Sequence, residues 1–282
     1  MKQPIQKFEF DIAQKAKELF TYSLAAEVLL DDCEILNNAV TITLHGSGDN
    51  KEQGRNLKTN KYLQGPVMIF NFPDHDIPDW NTYDFETSTF GSIEELLSAF
   101  FLLKQCLDFG IEKISLYGFS AGGGALINIL AVLNSDKHAN DLKRIGITQY
   151  DRLMIINALS NGLIILDCPL RSVDEIIDFH GETPDMVILS KKYRENEMIP
   201  INRLDGLRGL SLNILVHFKN EDEVFSDRDV NVYVERLKKY NKNGKTIVIC
   251  GSSGKHNDPS IPLWKQYCEY LQQPAVTRRP MK

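Results

Sequence analysis

Six short runs of branched and aliphatic residues, "AVTITLH", "PVMIFNF", "KISLYGF", "GLIIL", "LNILVHF" and "TIVIC", set the strongest limit on how this chain can fold. Their apolar character is nearly continuous rather than alternating, as a strand buried on both faces requires. Helix-length segments separate many of them. In "SIEELLSAFFLLKQCLDFG" the pair Ser92 and Glu95 predicts a capping box, Leu96, Phe100, Leu103 and Leu107 share one face, and Gly110 marks the stop. A second helix is expected from Ser226 through "SDRDVNVYVERLKKYN", with Val230, Tyr233, Val234 and Leu237 at helical spacing. Strands alternating with amphipathic helices predict an α/β fold: a mostly parallel central sheet with helices on both faces. Ligands of such sheets bind beyond the carboxyl ends of the strands, so the residues after each run carry the functional information.

The chain has 282 residues, 43% hydrophobic and 25% charged, which suits one large globular domain over 1–282. Its formal net charge of −6 supplies no basic field for nucleic acid or anionic lipid, so neither is an expected partner. The apolar runs are too short to span a bilayer and "MKQPIQKFEF" lacks a leader's apolar segment, so a cytoplasmic protein without stable membrane insertion is expected. Export without a cleaved signal leaves no trace in a sequence. The five cysteines are scattered and none forms a CxxC, which predicts reduced core thiols rather than a structural zinc site. Two segments lack a clear pattern. "AKELFTYSLAAEVLLDDCEIL" suits a helix or a strand pair equally, and 169–206, more polar and less regular, is expected to form a small cap insertion over the strand ends.

After "KISLY" comes Gly118-Phe119-Ser120-Ala121-Gly122, a G-x-S-x-G pattern between a strand and an apolar helix. A nucleophile at such a corner needs a strained backbone and neighbours without side chains. Alone the pattern is weak and also fits a glycine-rich turn with a bystander serine, whereas the G-x-G-x-x-G spacing of a dinucleotide site is absent. After "VTITL" comes His45-Gly46-Ser47-Gly48, where the backbone N–H of Gly46 or Ser47 could join that of Ala121 in an oxyanion hole. After "LNILVHF" the acidic loop "KNEDEVFSD" offers Asp222 to orient a histidine, with Glu221, Glu223 and Asp227 as alternatives. After "TIVIC" the loop "GSSGKHND" holds His256, ahead of an amphipathic helix around Trp264, Tyr267, Cys268 and Leu271.

Serine, acid and histidine thus each follow a strand, in that order. In this respect the chain resembles the α/β-hydrolase superfamily from about Val40 to its last helix. Within that superfamily it is similar to small esterases and thioesterases with an "HGN-x-GN" loop and an "LYGxSxGG" elbow, for which "LHGSGDN" and "LYGFSAGGG" stand here. It departs at "NFPDHDIPDWN", where those proteins have a glycine-containing turn. The resemblance implies a serine hydrolase acting on a carboxylic ester or thioester, with Ser120 as nucleophile, His256 as base and then acid, Asp222 as its orienting partner, and Ala121 with Gly46 or Ser47 as oxyanion donors. It implies no metal or organic cofactor. Two other readings stay open: a peptidase or amidase of the same fold, and an interaction module that keeps the fold without turnover.

The remaining motifs read more plainly. His75 between Asp74 and Asp76 has no distant ligand set to make a metal site. "NGKT" at 243–246 lacks the glycine of a phosphate loop and precedes a strand, so it is a turn. His138 and His180 have no evident partner, and His217, inside a strand, is expected to pack in the core or to brace the acid loop.

Overall fold

The computed structural model describes residues 2–20, 22, 24, 26–31, 36, 38–73, 84–225 and 230–272. All six apolar runs form strands: β2 Ala39–Leu44, β3 Val67–Ile69, β4 Lys113–Phe119, β5 Ile164–Asp167, β6 Asn213–Lys219 and β7 Lys245–Ser252. A seventh, β1 Glu27–Leu29, comes from the ambiguous N-terminal region, whose earlier part belongs to helix α1, Lys2–Leu19. The helix and the strand expectations for that region were therefore each right for part of it.

The sheet order is β1-β3-β2-β4-β5-β6-β7. Only β1 runs antiparallel; every other neighbouring pair is parallel. The chain leaves β2 for β3 on one side and returns to β4 on the other, so the order reverses between β2 and β4, where such sheets open a crevice.

Helices cover both faces: α2 Glu52–Thr59, α3 Ile93–Asp108, α4 Ala121–Leu133, α5 Ala139–Arg144, α6 Gln149–Asn161, α10 Val230–Tyr240 and α11 Ile261–Gln272. Strand β4 shows how the layers divide. Ile114 and Leu116 face the core shared with α1, α3, α4, α6 and α10, while Tyr117 and Phe119 face the core shared with Leu57 of α2 and with Leu263, Trp264 and Tyr267 of α11. On α10, Tyr233 and Leu237 are fully buried, as their spacing predicts; its expected start at Ser226 lies outside the described residues.

Two local expectations need correction. Helix α3 starts after Ser92 as expected, but no capping box forms there: Ser92 Oγ donates to Thr89 O at 2.6 Å, and Glu95 accepts from Gly91 N at 2.8 Å. Residues 169–206 are also more regular than their polarity suggested, holding α7 Val173–His180, α8 Pro184–Glu195 and α9 Pro200–Arg203. Ser172 with Glu175 forms a capping box, and Thr183 caps a helix that opens on Pro184. Helix α8 is anchored to the segment that leads into α3, since Lys192 Nζ donates to the Phe85 and Ser88 carbonyls and a Cβ on Gly91 would meet the Tyr193 ring at 2.6 Å.

Among the described residues, no helix is long and apolar enough to cross a membrane. Cys106 and Cys168 are buried thiols, as expected, but Cys250 is exposed and Cys268 half-buried.

Candidate active site

Ser120 stands at the turn from β4 into α4 with φ 52° and ψ −121°, a conformation that costs a side-chain-bearing residue about 1–3 kcal/mol. The glycines around it are there because backbone passes too close for anything larger. A Cβ on Gly118 would meet Gly122 O at 2.7 Å, and one on Gly122 would meet Leu44 O at 2.2 Å. Gly123 packs the helix against Pro169, where a Cβ would lie 2.8 Å from the proline Cβ. Hydrogen bonds hold the corner on both sides: Ser120 N donates to Asp167 O at 3.0 Å, and Ser120 O accepts from Gly123 N at 3.0 Å and Leu170 N at 2.8 Å.

The loop after β2 adjoins this corner, because a Cβ on Gly46 would come within 3.3 Å of Ser120 Cβ. His45 locks the loop. Its Nδ1 bonds Gly46 O at 2.9 Å while Nε2 accepts from Phe72 N at 3.0 Å, so the ring is neutral with its proton on Nδ1. Of the two N–H groups considered for the oxyanion hole, that of Gly46 is already given to Gln53 Oε1 at 3.3 Å. The Ser47 N–H is the other group considered, and the Ser47 hydroxyl is buried with no partner among the described residues. Ala121 N lies in the first turn of α4, where backbone N–H groups have no intrahelical acceptor.

Asp222 and His256 come together from the loops after β6 and β7. Asp222 Oδ2 accepts from His256 Nδ1 at 2.8 Å, while Oδ1 accepts from Val224 N at 3.0 Å and Phe225 N at 2.9 Å. Burial alone would raise the Asp222 pKa, but the bond from His256 and the two backbone donors bring it below the ordinary value. The His256 ring is 4% exposed in its residue, packed 4.9 Å from the Phe119 ring and 4.8 Å from that of Phe225. Its Nε2 is buried and, among the described residues, has no hydrogen-bond partner, the Ser120 hydroxyl included.

The other acids of the loop brace the histidine segment instead. Glu223 accepts from His256 N at 2.9 Å and Glu221 from Gly254 N at 3.2 Å; Asp227 lies outside the described residues, as does His75. Lys219, 3% exposed, holds the same segment from below, donating to His256 O at 2.7 Å and Asp258 O at 2.6 Å. Nothing in "HFKNED" marks that lysine as buried.

A second histidine–carboxylate pair lies beneath the first. His217 of β6 and Asp167 of β5 are cross-strand partners, with His217 Nδ1 2.9 Å from Asp167 Oδ1. Tyr117 OH at 2.9 Å and Ser260 Oγ at 2.8 Å also donate to Asp167, and Ser252 Oγ lies 2.6 Å from His217 Nε2. His217 therefore does more than pack in the core: through Asp167 and Ser260 it ties the sheet to the segment that follows His256. Sequence reasoning missed Asp167, because a lone acid at the end of "LIILD" reads as the edge of a strand.

Between the pairs sits Cys168, with φ 44°, 2% exposure and Sγ 3.9 Å from His217 Nδ1. Two donor sets with metal-like spacing share it, Asp167–Cys168–His217 and Cys168–Asp222–His256, their ligand atoms within 4.8 Å of one another. Sequence spacing gives no sign of either set. Each histidine already bonds a carboxylate, and burial pushes the Cys168 thiol far above its ordinary pKa, so neither set has a thiolate to offer as it stands. A cavity of about 330 Å³ opens beside Phe119 and Asn257, lined by Asp49, Gln53, Tyr62 and Trp264.

No family model matches the sequence, and no curated protein matches it. Solved structures do match its architecture. The lipase/esterase of Lactobacillus plantarum superposes with a TM-score of 0.58 at 14% identity, covering 89% of this chain and 91% of that one. An esterase of Pyrococcus furiosus gives 0.53 at 17% identity over 88% and 85%, and acetyl xylan esterase 1 of Thermoanaerobacterium gives 0.54 at 10% over 95% and 94%. With its reversed strand order, its strained serine corner and these neighbours, the chain has the α/β-hydrolase fold.

Proposed function

We propose that this chain is a serine hydrolase that cleaves a carboxylic ester or thioester through an acyl-enzyme on Ser120, working as a single hydrolase domain. The observation that carries the reading is the Asp222–His256 pair, which holds an unpartnered Nε2 beside the phenyl ring of Phe119, next in sequence to the strained Ser120. The carboxylate fixes the proton on Nδ1 and leaves the Nε2 lone pair free to act as a base. Contact between Ser120 Oγ and Nε2 is made when substrate is bound, as catalytic hydrogen bonds often tighten only then.

In this mechanism Ser120 Oγ attacks the acyl carbon while His256 Nε2 takes its proton. The tetrahedral oxyanion receives hydrogen bonds from Ala121 N and Ser47 N, each such donor being worth about 10²–10³ in rate. His256 then protonates the leaving alcohol or thiol, and water, activated by the same nitrogen, releases the acid. The cavity beside Phe119 and Asn257, lined by Tyr62 and Trp264 as well as by Asp49 and Gln53, is the space offered to the substrate. Helices α7 to α9 serve as the cap, since the segment that carries them leaves β5 at the floor of the site and is bonded to Ser120 O through Leu170.

Labelling by a fluorophosphonate probe tests the reading. Rapid modification of the wild-type protein, abolished by both Ser120→Ala and His256→Ala, is the expected result. Folded wild-type protein that stays unlabelled would favour an interaction module that retains the fold. A panel of acyl esters, thioesters and aminopeptidase substrates then fixes the class, and turnover confined to the peptides would replace the esterase assignment with a peptidase.

A further inference from the structure

The second pair is more than a copy of the first in outline, because it is complete in serine, histidine and carboxylate. Ser252 Oγ lies 2.6 Å from His217 Nε2, and His217 Nδ1 lies 2.9 Å from Asp167 Oδ1. Burial alone would raise the Asp167 pKa, but the bonds from His217 and Ser260 hold it below the ordinary carboxylate value. An ionised Asp167 keeps the imidazole proton on Nδ1, so Nε2 is the acceptor and the Ser252 hydroxyl is its donor. The same oxygen is 3.4 Å from Phe218 O, too long to compete with a bond of 2.6 Å.

This geometry arises from an irregularity in the sheet. Between β6 and β7 the register shifts, with His217 opposite Ile249 but Lys219 opposite Ser252, so β7 carries one extra residue. Gly251 takes up the turn with φ 84°. A regular ladder would not offer position 252 to His217. The bulge re-aims this side chain, as bulges beside functional sites do. Ser252 is also half-buried rather than sealed in, whereas His217 is 0% exposed.

We infer that Ser252 is a second nucleophile, which accepts one small acyl group from an activated ester. In that step His217 Nε2 takes the hydroxyl proton, the Oγ–carbon bond forms, the bond from carbon to the leaving oxygen breaks, and the proton passes to that oxygen. An acyl-serine and a free alcohol or phenol result. The strained corner of Ser120 and the paired N–H donors of Ala121 and Ser47 have no counterpart at Ser252 among the described residues, so the reaction is a single slow acylation rather than turnover.

The experiment uses full-length protein carrying Ser120→Ala, so that its outcome does not depend on the function proposed for Ser120. It is incubated with p-nitrophenyl acetate and digested, and the acetyl group is located by mass spectrometry. The expected result is about one equivalent of p-nitrophenol released, acetyl on Ser252, its complete loss in Ser120→Ala/Ser252→Ala, and acylation slowed about a hundredfold by His217→Gln, as when a general base is removed. Acetyl confined to lysines, or none at Ser252, would overturn the inference; so would equally fast acetylation of Ser252 in His217→Gln. The position of the acetyl decides the matter even should His217→Gln not fold. Ser252→Ala alone leaves wild-type ester turnover within about twofold, because it removes one hydroxyl outside the Ser120 machinery.

Discussion

Asp222 and His256 meet at 2.8 Å in loops beyond the sheet, whereas Asp167 and His217 meet at 2.9 Å as partners within it. In the upper pair the second ring nitrogen has no partner among the described residues, and aromatic rings rather than strands hold the imidazole. In the lower pair every polar atom is engaged: Tyr117 and Ser260 complete the carboxylate, and Ser252 meets the far nitrogen. A buried polar group without a partner costs about 1–3 kcal/mol, a cost the upper pair carries and the lower pair avoids. The upper pair keeps one nitrogen open toward the Phe119 side, whereas the lower one spends both of its nitrogens on partners in the fold.

The most severe way to break this contrast is to remove the upper imidazole. His256→Gln is expected to lower kcat for the best ester by about 10⁶-fold, and Asp222→Asn by about 10⁴-fold, in steady-state assays with KM little changed. Asp167→Asn should leave kcat within about tenfold and instead cost about 1–3 kcal/mol of stability, read as a melting temperature lower by several degrees. If Asp167→Asn matched Asp222→Asn in kcat at unchanged stability, the two pairs would have their roles reversed.

Lys219 joins the two levels. Lys219→Met releases the carbonyls of His256 and Asp258 and is expected to lower kcat by about 10²-fold, the scale of a misplaced reacting group, with partial recovery in Lys219→Arg. A loss confined to melting temperature would make the lysine a support for the fold alone.

The gentlest probe is acid. Both carboxyls lie below their ordinary value of 3.8, since the imidazole bonds outweigh the opposing effect of burial. A depressed carboxyl contributes stability that is fully present above its unfolded pKa and is lost as pH falls through its folded one. The melting temperature should therefore stay level from about pH 7 to 5 and fall below about pH 4, and the fall should be shallower in Asp167→Asn and in Asp222→Asn.

What could be read from the sequence divides along the same line. The Ser120 corner is legible because its causes are local: a buried strand, glycines where backbone crosses backbone, and a helix whose first residues are small. Asp222 and His256 are legible by position, since each follows a strand, although only coordinates separate Asp222 from Glu221 and Glu223. Asp167, His217 and Lys219 are hidden because polar residues in strands look like the frayed ends of apolar runs, and their partners lie on other strands. The loop after β2 is legible in place but not in detail, because Gln53, which takes the Gly46 N–H, belongs to the following helix. Helices α7 and α8 were missed although Ser172, Glu175, Thr183 and Pro184 announce their starts, because polar surfaces were read as loop. Strand β1 has three residues and takes its shape from β3, so no periodicity could reveal it.

Cys168, wedged between the two pairs at 2% exposure, gives the molecule an internal clock. Alkylating reagents attack thiolates, and this thiol is both covered and held protonated by its surroundings, so it reacts only in the moments when the floor of the site comes apart. Exposed Cys250 marks time from the start of the reaction. The lag between the two modifications measures how often the folded protein opens beneath the Ser120 corner, with no dye, tag or substrate to disturb the count.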